Sequence, residues 1–215
     1  MFDTSGPVQF PARPAPVQRR GFERVQAILD AAESLLAEQG YESATLKAIS
    51  DRAGIPIASV YHYFADRHQV DAQLVQRHLS ELDGRLAELN NSKFRSLRGA
   101  VNAVIDAYFQ YFREHPGFVQ LWFAGRSTIL DEVARAFDET QAKRFWALMI
   151  DRNFIRADTP ELAAQLAFEA GNRLFDVAFR LAPSGDEATI DETRRLVTAY
   201  LETYAKQRRR KTTAS

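Results

Sequence analysis

The chain has 215 residues, with 28 basic and 28 acidic side chains, so its formal net charge is zero. A sequence-blind coat for nucleic acid carries a large positive excess, because its affinity comes from neutralising phosphates, and this balance excludes one; it also excludes a strongly acidic disordered tail. The absence of cysteine removes disulfides, thiolate metal sites and cysteine nucleophiles.

The composition, 46% hydrophobic and 26% charged, is ordinary for a globular protein of one large domain or two small ones. No apolar run approaches the roughly 20 residues of a membrane helix, so no membrane association is expected. The first residues have no apolar stretch of the kind a secretory signal needs. A cytoplasmic protein is the expectation.

Residues 1–18 read as a flexible arm punctuated by Gly6, Pro7, Pro11, Pro14 and Pro16. Beyond it the apolar residues recur at helical spacing. A first helix over about 17–39 has the stripe Val25, Ile28, Leu29, Ala32, Leu35 and Leu36, and Gly40 stands where a left-handed cap is easiest. Thr45 can cap a short helix ending near Ala53, and Gly54 gives the turn. Pro56 then fits the first turn of a third helix running to Tyr63. Asp66 can cap a fourth helix reaching about Leu89, broken by Asn90, Asn91 and Ser92. Further helical segments lie near 94–114, 117–124, 128–152, 159–182 and 187–208, with Pro116 as a stop and Thr159-Pro160 as a capped start. Residues 209–215 form a basic tail. The fold class is all-α, about nine helices.

Thr45 to Phe64 is the informative span. Two short helices joined at Gly54 make a helix-turn-helix candidate, with Ile49, Ala53, Ile55 and Val60 spaced to bury the angle. The second helix then exposes Ile57, Ala58, Ser59, Tyr61, His62 and Tyr63. In such a motif the start of the second helix enters the major groove. Ile57 and Ala58 suit a thymine methyl, Ser59 a base edge or phosphate, and the Tyr and His tips phosphate oxygens. By spacing alone, a plain helical hairpin inside a core fits as well.

Ile28-Leu29-Asp30-Ala31-Ala32, Gly40-Tyr41, Thr45, Ile49, Ala53-Gly54-Ile55, Ser59-Val60-Tyr61-His62-Tyr63-Phe64 and Arg67 together resemble the N-terminal domain of the TetR family of transcriptional regulators. The resemblance covers about residues 20–75. It implies a three-helix DNA-binding domain (19–66) and a larger helical domain for effector binding and dimerisation (67–208). It implies that Thr45 meets a phosphate with Lys47 nearby, and that Ile57, Ala58, Ser59, Tyr61, His62 and Tyr63 lie on the recognition helix. Arg67 stands where the family usually has a phosphate-binding lysine. Pro56, Ile57, His68 and Val70 depart from the common pattern, which leaves the operator sequence open. Arg19 and Arg20, with Arg13, are candidates for an adjacent minor groove.

Residues 94–182 hold eleven of the fifteen Phe and both Trp. Most of these are core, but the excess suggests an apolar effector pocket, for which the candidates are Tyr108, Phe112, Trp122, Phe123, Trp146, Met149, Phe168, Asn172, Phe175 and Asp176. Glu169, Arg173, Asn102, Asp106 and Arg126 are further polar candidates; for the polar face around Asn172 a solvated surface is the competing reading. Small residues on the eighth helix, Ala163, Ala167, Ala170 and Gly171 with Leu174, and Val197, Leu201 and Tyr204 on the ninth suggest a homodimer through a four-helix bundle. The implied partners are a palindromic double-stranded DNA operator, a small-molecule effector and a second copy of the chain. Repression is the commonest role in the family, with the fourth helix as the lever between pocket and head.

Two other classes compete. An enzyme has little support: His62, His68, His78 and His115 form no HExxH or paired-ligand spacing, and there is no Walker loop or GxGxxG. No catalytic residue, metal or cofactor is expected. A helical scaffold would leave the Ser59–Phe64 pattern unexplained.

Overall fold

The computed structural model describes residues 16–89, 92–123 and 128–206. Among them nine α-helices follow one another: α1 (Pro16–Gln39), α2 (Leu46–Ala53), α3 (Ile57–Tyr63), α4 (Arg67–Leu89), α5 (Leu97–Glu114), α6 (Pro116–Phe123), α7 (Thr128–Asp151), α8 (Glu161–Leu181) and α9 (Glu187–Glu202). No described residue belongs to a strand; one isolated antiparallel bridge joins Ile155 to Ala205. None of the described helices is long and apolar enough to cross a membrane. Most of the expected arm, with Arg13, lies outside the described residues, as do Asn90, Asn91, Arg126 and the basic tail.

The head is built from α1 to α3. Helix α1 buries Ile28, Leu29, Ala32, Leu35 and Leu36 on one face, with Val25 half-buried at its edge. Ile28 and each of the three leucines contribute about 1.5–3 kcal/mol by leaving water. The Thr45 hydroxyl accepts the Ala48 N–H at 3.2 Å and caps α2. Gly54 closes α2 in the left-handed region at φ 65, where a side chain is strained. The Ser50 hydroxyl donates to the Ile55 carbonyl at 2.7 Å and fastens the same turn. Ile49 and Val60 are fully buried in the angle between α2 and α3. Helix α3 begins at Ile57, with Pro56 just outside it.

The body is α4 to α9. The Asp66 carboxylate accepts the Gln69 N–H at 3.0 Å and opens α4. Pro116 is not a stop but the first residue of α6, directly after His115 ends α5; there its missing N–H has no helical partner to lose. Thr159 does not cap α8. Pro160 flanks that helix instead, while the Thr159 carbonyl accepts Trp146 Nε1–H at 2.9 Å and its hydroxyl is buried without a partner among the described residues. Helix α9 ends at Glu202 rather than near 208. Beyond it the chain is drawn to the segment after α7, by Arg156 N–H to the Tyr204 carbonyl at 2.9 Å and Lys206 N–H to the Phe154 carbonyl at 3.3 Å.

Head and body share one continuous apolar cluster running from Ile28 to Leu201. Helix α6 packs on α1 and α4. Gly117 makes this possible, since a Cβ there would collide with the Glu33 carbonyl of α1.

Candidate nucleic-acid interface and apolar cavity

Helix α3 leaves Ile57, Ala58, Tyr61 and His62 exposed, with Tyr61 at 55%. Ser59 and Tyr63 are half-buried, so they are less open than expected; Tyr63 packs against the apolar cluster. Its ring meets the His62 ring edge-on at 5.2 Å. An open hollow beside the turn is lined by Lys47, Ser50, Asp51, Gly54, Ile57 and Tyr61. Lys47 is highly exposed and pairs with Asp51 at 2.9 Å. Thr45 is exposed, but its hydroxyl is engaged as the cap. Arg19 and Arg20 belong to the first turns of α1 rather than to an arm, and Arg19 pairs with Glu23 at 2.9 Å.

Arg67 corrects the sequence reading. Its side chain is only 17% exposed and pairs with the buried Asp71 at 2.8 Å. It also donates to the carbonyls of Tyr41, at 3.1 Å, and Ala44, and its guanidinium lies 4.5 Å over the Tyr41 ring. The Tyr41 hydroxyl donates to Asp71 at 3.0 Å. Burial and the Asp71 charge both raise the Tyr41 pKa, which keeps that proton in place. Arg67 therefore staples the loop between α1 and α2 to the start of α4, and its guanidinium is turned inward instead of toward a phosphate.

A cavity of about 50 Å³ opens between α5, α7, α8 and α9, lined by Val104, Ile105, Tyr108, Asp138, Ala167, Phe168, Gly171, Asn172, Phe175 and Val197. Four of the expected pocket residues are here: Tyr108, Phe168, Asn172 and Phe175. Asn172 donates to Asp138 at 3.1 Å and accepts from Trp122 Nε1 at 3.4 Å, so Trp122 sits one shell behind. The Tyr108 hydroxyl is buried with no partner among the described residues. Its pKa is raised by burial and then by Asp138 and Asp83, so it stays a neutral donor.

The other expected pocket residues serve different ends. Phe112 and Met149 are fully buried core. Phe123 stacks on Phe179 with centroids 6.2 Å apart. Trp146 fastens α7 to the loop before α8. Asp176 is buried and is engaged in pairs with Arg173 and Arg180, the latter at 3.2 Å. Glu169 and Arg173 are exposed, and Asp106 pairs with Arg194 at 2.5 Å. Sequence reasoning missed Asp138 and Gly171. An added Cβ on Gly171 would meet nothing within 4 Å, so this glycine creates space instead of permitting close helix approach.

The expected dimer residues are largely turned inward. Ala163, Ala167, Val197 and Leu201 are 1%, 4%, 7% and 2% exposed within the single chain. Ala170, Leu174 and Tyr204 are half-buried. Helix α8 is apolar on two faces. Its small-residue face packs against α7 and α9, and the other leaves Leu162, Leu166 and Leu181 at 57%, 49% and 67% exposure. Leu196 of α9 is exposed as well.

Below the head, Glu33 of α1, His78 of α4 and His115 between α5 and α6 converge within 4.8 Å. No motif spacing announced this, because the three come from separate elements. Burial works against ionising Glu33, but His78, His115 and Arg77 outweigh it and lower its pKa to about 2.

The chain matches the pattern described as "Bacterial regulatory proteins, tetR family" over residues 28–70 and that of "Tetracyclin repressor-like, C-terminal domain" over 96–201. It is 27% identical to the HTH-type transcriptional repressor KstR2 of Rhodococcus jostii (strain RHA1) over 172 residues, 76% of this chain and 82% of that one. It is 24% identical to the HTH-type transcriptional regulator BetI of Cronobacter sakazakii over 198 residues, 86% and 90% of the two chains. A solved TetR-family transcriptional regulator from Streptomyces coelicolor superposes with a TM-score of 0.67 at 32% identity, covering 84% of this chain and 99% of that chain.

Proposed function

The chain belongs to the TetR family of transcriptional regulators, and on that premise we propose that it is a repressor which binds a palindromic operator as a homodimer and is released by an apolar effector. The observation that carries the reading is the exposed edge of α3. Ile57, Ala58, Tyr61 and His62 stand clear of the core on a turn held by Gly54 and Ser50. Four exposed side chains on a rigid short helix fit a major groove. Such a protein acts in the cytoplasm, where the chromosome is, and catalysis has no part in this reading.

We assign α1–α3 to the reading head and α4–α9 to effector binding and association. The exposed leucines of α8 and α9 support a two-fold four-helix interface through Leu162, Leu166, Leu181 and Leu196. A run of exposed leucines this dense is a mark of an association surface. In the dimer the two α3 helices would stand about one DNA turn apart, roughly 34–36 Å.

The cavity supports an effector that is mainly apolar with at least one hydrogen-bond acceptor, to satisfy the Tyr108 hydroxyl. At about 50 Å³ it is smaller than the roughly 300–1,000 Å³ of a ligand-filled pocket, so binding must push its walls apart. Val104 and Phe168 also line a neighbouring cleft against Leu86 and Leu89 of α4. Moving Phe168 therefore loads α4, whose other end holds the head through Arg67. The ligand's effect is bounded by its preference for the displaced state.

Selection of genomic fragments in the presence of competitor DNA tests the core of this reading. A shared palindrome among retained fragments is the expected result, and retention without any common sequence would overturn it.

A further inference from the structure

Two distances among Glu33, His78 and His115 have the dimensions of a metal site. Glu33 Oε1 lies 3.3 Å from His78 Nε2 and 3.2 Å from His115 Nδ1. In a tetrahedral site with bonds of about 2.0–2.1 Å, neighbouring donor atoms stand about 3.3 Å apart. The third edge, between the histidines, falls within the 4.8 Å that spans the group.

The protons are arranged for the same purpose. The Tyr111 hydroxyl donates to the His78 carbonyl at 3.1 Å, so its oxygen is left to accept from His78 Nδ1 at 2.7 Å. This assigns the proton of the neutral ring to Nδ1 and leaves a lone pair on Nε2. That Nε2 is buried and has no hydrogen-bond partner among the described residues, yet it faces a carboxylate oxygen. Facing a carboxylate, that nitrogen calls for a cation between the two, either a proton on Nε2 or a metal ion, and the metal titration separates them. An outer hydroxyl that orients the ring through its other nitrogen is the usual support of a metal-bound histidine. The Glu81 carboxylate stands 3.8 Å from His115 Nε2 in the corresponding place. Arg77 takes the other oxygen of Glu33 at 2.7 Å, leaving Oε1 as a single ligand atom. Phe118 lies flat on the His78 ring at 4.4 Å and closes one side to water.

We propose that Glu33, His78 and His115 bind one divalent transition-metal ion of the zinc type, with a fourth position open to water. Two imidazoles and one carboxylate suit this class of ion better than magnesium or calcium. The ion cross-links α1 to α4 and to the junction of α5 and α6, beside the Gly117 approach, and so clamps the head to the body.

The test uses the full chain, stripped with a chelator, exchanged and titrated with Zn²⁺, and with Co²⁺ for its visible ligand-field bands. One equivalent per chain should bind with micromolar or tighter affinity and raise Tm, since the site exists only in the folded state. His115→Gln and Glu33→Gln keep hydrogen-bonding capacity but remove a ligand, and each should weaken binding by at least about tenfold. Should Glu33→Gln fail to fold, His115→Gln, at the junction of α5 and α6 and outside the core of the head, decides. No stoichiometric uptake by the parent chain, or His115→Gln binding as tightly as the parent, overturns the proposal. The titration contains no DNA, so its outcome is independent of the regulatory reading.

Discussion

Arg67 and Asp71, one turn apart on α4, form an ion pair of 2.8 Å that the head closes over. Asp71 is fully buried and also accepts from Tyr41, while Arg67 reaches the carbonyls of Tyr41 and Ala44. Removing one member leaves the other buried and uncompensated, which costs about 3–5 kcal/mol. Arg67→Ala should therefore lower stability by that order in a denaturant melt, with Asp71→Asn lowering it in the same direction. Weaker DNA binding by Arg67→Ala at unchanged stability would restore the phosphate-binding role that the sequence suggests.

The contrast between Thr45 and Arg67 shows where sequence reading stops. The Thr45 cap, the Gly54 turn and the α1 stripe are decided within a few residues, so spacing alone exposes them. The role of Arg67 depends on carbonyls at Tyr41 and Ala44, across a loop, and no local pattern reports them. Helix α8 failed for another reason. It is apolar on two faces, and periodicity cannot say which one meets its own chain. The small face, Ala163 and Ala167, went inside, where close packing rewards it, and the leucines were left out. Glu33, His78 and His115 come together only through the packing of α1, α4 and the α5–α6 junction.

Gly171 offers a direct test of the cavity. A Cβ built there meets no atom within 4 Å, so Gly171→Ala should be accommodated. It should stabilise the chain by roughly 0.5–1 kcal/mol, the usual gain for replacing a mid-helix glycine. Gly171→Val goes further into the space beside Tyr108 and Phe175. Operator binding without effector should persist, while the effector concentration needed for release rises at least several-fold. Unchanged release would place the effector elsewhere.

The association surface separates two faces of α8. Leu166→Glu combined with Leu181→Glu puts charge on exposed leucines, and sedimentation should then show monomers with little loss of helicity by circular dichroism. Val197→Ala removes buried volume inside the chain. It should lower stability by about 1–3 kcal/mol and leave the dimer intact. The opposite pattern would return the interface to the inward face.

The flat charge balance makes a prediction about affinity. Three exposed cations of the head already have carboxylate partners: Lys47 with Asp51 at 2.9 Å, Arg19 with Glu23 at 2.9 Å and Arg52 with Glu38 at 2.7 Å. A phosphate must displace these partners, so each contact gains less than a free cation would, and binding to random DNA stays weak. Asp51→Asn frees Lys47 without removing any proposed contact to a base. It should tighten binding to operator and random DNA alike by a few-fold and steepen the salt dependence. Lys47→Ala should do the reverse, lowering the salt slope by about one for each half-site while leaving sequence preference unchanged. Changes at Ile57 or Ala58 should instead alter which sequence is preferred. If Asp51→Asn tightens the operator complex alone, Lys47 is reading a base and not a phosphate, and selection on randomised half-sites would show the preferred base shifting in that variant.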